Sequence, residues 1–171
     1  ARRGQPADSS MTRLGETDTQ FPNTRAALLV ALRAGADWTA AAGWLQRQAA
    51  APGPVVLWLA GPASPSSLPP DPALFDDIVV DEDAVHYGEP LIESLRSAIA
   101  AHGVDLVLAP SPTEPDPARR ALAMACVEAV RRHGAPLRLA LCEWSVPARP
   151  SVRVDIAAAW AWKQQLLADA G

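Results

Sequence analysis

Histidine and cysteine are scarce in this chain: three and two among 171 residues. Cys126 and Cys142 lack metal-type spacing and read as reduced, buried thiols, which suits a cytoplasmic protein. His102 and His133 fall at the ends of expected helices, where an imidazolium is favourable without any catalytic role. His86 lies in the acidic stretch DEDAVHYGE, read as a solvated turn rather than a cation site. Serines 64, 66 and 67 have no evident histidine partner. No glycine-rich phosphate loop follows any apolar run, and the prolines of GPASPS (61–66) remove amide donors that a phosphate needs. A dinucleotide or triphosphate site is therefore not expected. The chain has no basic excess either. Its net charge of −4 argues against a nucleic-acid or anionic-membrane surface. No apolar run approaches the ~20 residues of a membrane span, and the first residues lack the apolar core of a secretion signal.

What is present is ordinary globular material, 49% hydrophobic and 20% charged, enough for one domain with a real core. Residues 1–24 are polar, without apolar periodicity, and read as a tail or linker; residues 25–171 form the expected domain. RAALLVALRAGADW (25–38) is ambiguous. Thr24 could cap a helix that Gly35 ends, yet Leu28 to Leu32 is also a short continuous run of the buried-strand type. A helix is expected over 38–50, with Trp38, Ala41, Ala42, Leu45 and Ala49 on one face. Strands follow at 55–60 (VVLWLA) and 77–81 (DIVVD), a helix at 89–102, and a strand at 104–109 (VDLVLA). The helix at 117–133 carries the clearest signals: Asp116 as N-cap, Pro117 at its first position, Leu122, Ala125, Cys126, Ala129 and Val130 as an apolar stripe, and Gly134 as stop. Strands at 137–143 and 152–156 and a helix at 157–169 close the chain. Trp160 and Trp162 cannot both face inward on that last helix, so one packs and the other is free to mark a partner surface.

Strands alternating with helices, with near-continuous apolar strand runs, imply a three-layer Rossmann-like α/β fold with a mostly parallel sheet. Ligands of such sheets bind beyond the carboxyl ends of the strands, here the loops after residues 32, 60 and 109. The last of these loops carries Glu114 and Asp116, which read either as an acid–base pair or as an exposed or turn-bonded glutamate beside a helix cap.

VLAPSPTEPDPARRALA (107–123) resembles the second motif of the PIG-L/LmbE-like zinc N-deacetylases, which remove acetyl groups from N-acetylated sugars. That motif is a strand, Pro-Ser-Pro, a glutamate, then His-Pro-Asp-His-Arg opening a helix; Pro110, Ser111, Pro112, Glu114, Pro117 and Arg120 match it. Glu143, Pro147, Val154, Asp155, Ile156 and Lys163 fit the order of the family's C-terminal motifs. The family opens with an apolar strand, His-Pro-Asp-Asp-Glu, two glycines and a helix. This implies a strand at Leu28 to Leu32, Gly43 as the second glycine, and a resemblance over about residues 25–171. It also implies an LmbE-like fold.

The departures bear on function. The first motif reads Arg33, Ala34, Gly35, Ala36, Asp37, and the histidine positions of the second are Asp116 and Arg119, with Ala118 where the aspartate stands. The ligand positions thus lack the family's ligands, and Gly35 stands where the resemblance implies the general base. The stretch between residues 60 and 104 is also short for the family. The resemblance so qualified implies a catalytically inactive domain with no zinc or other cofactor. It would bind or scaffold in bacterial carbohydrate or envelope metabolism, with a protein partner, a fused domain, or a small anion or sugar as its ligand. Two alternatives stand beside it. One is an active GlcNAc-type deacetylase with an altered metal site. The other is an anion-binding module built on Arg33 and Arg119, which could also pair with Glu114, Asp37 or Asp116.

Overall fold

Five short apolar runs pair side by side into one sheet: β1 (Ala27–Ala31), β2 (Val55–Ala60), β3 (Asp77–Asp81), β4 (Leu106–Pro110) and β5 (Arg138–Cys142). The computed structural model describes residues 24–32, 41, 44–45, 53–61, 72–83, 85–142 and 160–169. The helices are α1 (Glu89–Ala101), α2 (Pro117–Arg132) and α3 (Trp160–Asp169), and a single 3-10 turn covers Pro72–Leu74. The expected strand at 152–156, the first-motif residues Arg33, Gly35, Ala36 and Asp37, and most of the expected 38–50 helix lie outside the described residues. Of that helix, Trp44 and Leu45 are helical and buried, as is the side chain of Ala41.

All four strand pairings are parallel, in the order β3-β2-β1-β4-β5. β1 is central and buried along its whole length, with Ala27 paired to Val55 on one side and Leu106 on the other. This settles the ambiguity at residues 28–32. Alanine and leucine favour a helix locally by tenths of a kcal/mol each, whereas a central strand gains hydrogen-bonded neighbours on both edges and apolar cover on both faces.

Strand alternation splits the core into two layers. Leu28, Val30, Val56, Trp58 and Val107 face α1 and α2, meeting Leu91, Leu95 and Ile99 of α1 and Leu122, Cys126 and Ala129 of α2. Leu29, Leu57, Leu59, Leu106 and Leu108 face the other side, against Trp44, Leu45, Phe75 and Trp162. Trp162 therefore packs while Trp160 is half-exposed, as one helix face requires. α1 and α2 are joined through Arg132, which bonds both Glu89 of α1 and Glu128 of its own helix. Arg131 and then Arg132 hold the Glu128 carboxyl down to about 2. Gly134, at φ 76°, stops α2 in a left-handed conformation that only glycine adopts without strain.

The amino edge of the sheet is tied by one carboxylate. Asp105 Oδ1 accepts the N–H groups of Arg25 (3.0 Å) and Ala26 (3.1 Å), and Oδ2 accepts Arg138 Nη2 at 3.2 Å. Arg138 Nη2 also donates to Thr24 Oγ1 at 3.1 Å, and Thr24 is buried. Thr24, grouped with the N-terminal tail on sequence, is thus bonded into the sheet edge. Gly53 turns the chain into β2 where there is no room for a side chain: a Cβ there would lie 2.8 Å from the carbonyl oxygens of both Thr24 and Arg25. Gly53→Ala is expected to cost about 1–3 kcal/mol, because rigid backbone rather than a flexible side chain must move. A denaturant midpoint equal to that of the parent protein would contradict this. With the amino edge closed, the carboxyl ends of the strands are left to form a site.

Candidate functional site at the β1/β4 switch point

The strand order reverses between β1 and β4. The next strand after β1 (β2) lies on one side of it, and the strand reached after β3 (β4) lies on the other. In open parallel sheets the crevice outside this point is where ligands bind. Leu29 pairs with Leu108, so both strands have two residues left to run and end level, at Ala31 and Pro110. The loop from β4 into α2 opens directly onto this crevice and carries Ser111, Glu114, Asp116 and, one turn into the helix, Arg119.

The loop is built from its own hydrogen bonds. Ser111 N–H donates to the carbonyl of Cys142 (3.1 Å), fastening the end of β4 to the end of β5. Ser111 Oγ and Thr113 Oγ1 are 2.8 Å apart, Thr113 N–H donates to Ser111 Oγ at 3.3 Å, and Glu114 N–H donates to the Ser111 carbonyl at 3.2 Å. Asp116, with extended backbone (φ −69°, ψ 123°), accepts the Arg119 N–H on Oδ1 at 2.8 Å and Pro117 follows it, which is a helix N-cap with proline in the first turn. The cap reading of Asp116 holds. Of the two forms expected for Glu114, exposed or turn-bonded, the exposed one does not hold: the residue is 1% exposed, and its N–H is bonded within the turn. Two prolines and a threonine around Glu114 suggested a surface turn; the turn instead buries the glutamate.

The donors among the described residues do not fit a catalytic zinc. Such a metal takes three neutral or anionic donors and keeps a fourth position open for water. Of the second-motif positions, Asp116 has one carboxylate oxygen committed to capping α2, and Arg119 offers no lone pair. Among the described residues no three His, Cys, Asp or Glu side chains are grouped to hold an ion. Cys142, half-buried at the end of β5 beside Ser111, is a poor substitute: desolvation holds its thiol up to about 11, and the full burial of Cys126 raises that thiol further still. At pH 8 only about one Cys142 in a thousand would be thiolate. Native protein is therefore expected to alkylate with iodoacetamide at least about a hundredfold more slowly than protein in guanidinium. Equal rates would refute the burial.

A cavity lies on the α1 side, beyond the ends of β2 and β3. It measures about 570 Å³, and Trp58, Asp81, Asp83, His86, Tyr87 and Ser94 are among its lining. The sequence placed Asp81, Asp83 and His86 in a solvated acidic turn and missed Trp58 and Ser94. Ser94 was legible as a polar residue on the inward stripe of α1, three positions after Leu91 and one before Leu95. Its hydroxyl donates to Asp81 Oδ2 at 2.6 Å.

No protein-family profile and no curated protein matches the chain. Solved structures do. The N,N'-diacetylchitobiose deacetylase of Pyrococcus horikoshii aligns over 88% of this chain and 71% of its own, with a TM-score of 0.71 and 14% identity. The A40926 pseudoaglycone deacetylase aligns over 86% and 81%, with a TM-score of 0.58 and 18% identity. This chain has the fold of these deacetylases. The 4-carboxy-2-hydroxymuconate hydratase of Pseudomonas putida KT2440 also matches, over 84% of this chain and 77% of its own, at a TM-score of 0.60 and 17% identity. The deacetylase fold thus carries more than one chemistry, and the activity has to be argued from the site. Among the described residues no helix is long and apolar enough to cross a membrane.

Proposed function

We propose that this chain is a catalytically inactive domain on the deacetylase fold, acting by binding or scaffolding in carbohydrate or envelope metabolism. One observation carries the reading. At the switch point, where the resemblance implies histidine ligands, Asp116 closes the helix end by bonding Arg119 N–H, and Arg119 itself is a cation. The resemblance puts Arg119 and, from the first motif, Arg33 at positions where the family has zinc ligands, so a zinc ion there would be offered cations in place of imidazoles. Unit charges at ~4 Å repel by about 4 kcal/mol at an effective dielectric of ~20, and zinc carries two. Without bound metal, water at the site keeps its ordinary acidity and attacks no amide.

Metal analysis and an amidase assay test this together. Protein equilibrated with micromolar zinc and then desalted is expected to retain well under one ion per chain, and to release no acetate above background from N-acetylglucosamine or its dimer. One tightly held zinc per chain with turnover would overturn the reading.

A further inference from the structure

We draw no further inference here: the strongest candidate, the cavity of about 570 Å³ beyond β2 and β3 with Asp81 and Asp83 in its lining, rests on an acidic cluster to which no second observation assigns a ligand.

Discussion

Glu114→Ala is expected to lower the unfolding free energy by about 2–4 kcal/mol, read as a reduced denaturant midpoint at unchanged slope. The carboxyl is 1% exposed in the turn between β4 and α2, and a buried carboxylate persists only where donors hold it. Truncation strands those donors without readmitting water. The sign of the effect also separates two roles for the residue. A carboxylate kept for acid–base chemistry sits in surroundings chosen for the reaction, and removing such a group is commonly neutral or stabilising. A carboxylate kept as scaffold stabilises the turn it is buried in. A Glu114→Ala variant as stable as the parent, or more so, would return this loop to the candidates for catalysis and count against an inactive domain.

That distinction was hidden in the sequence, and the reason is physical. The five strands were legible because each is apolar over four or more residues, or, for β3, is an Ile-Val-Val core between aspartates at the sheet edge. α2 was legible to within one residue because its start and stop are written in short-range chemistry: Asp116, Pro117 and Gly134. β1 needed more, since its alanines and leucines suit a helix and only its two neighbouring strands decide otherwise. Side-chain burial in the loops depends on still longer-range contacts. Glu114 is surrounded in sequence by Pro112, Thr113 and Pro115, all turn formers, and nothing local says that it is buried. The alternation of strands and helices put the loop after residue 109 at a carboxyl end of the sheet, and the loop from β4 into α2 does lie there. Which groups cluster around a cavity is harder still. Trp58 stands in the middle of VVLWLA, where its indole reads only as apolar bulk.

That indole gives the largest effect expected in this protein. Trp58→Ala should cost about 3–5 kcal/mol, since it empties the largest of the fully buried side-chain sites on the helix-covered face. Trp58→Phe should cost much less, within about 1 kcal/mol of the parent, although it too removes buried volume. The two substitutions differ in what they do to the polar atom. Phenylalanine keeps most of the ring and deletes an N–H that has no acceptor among the described residues, recovering about 1–3 kcal/mol of desolvation penalty against the packing lost. A well-bonded indole would give the opposite pattern, with phenylalanine losing both the packing and a hydrogen bond. Denaturant melts of the two variants without added ligand therefore weigh the nitrogen separately from the ring. A Trp58→Phe cost near that of Trp58→Ala would mean that the donor is already satisfied, by ordered water or by the chain itself. A small cost would mean that the fold tolerates an unpaired donor in its core.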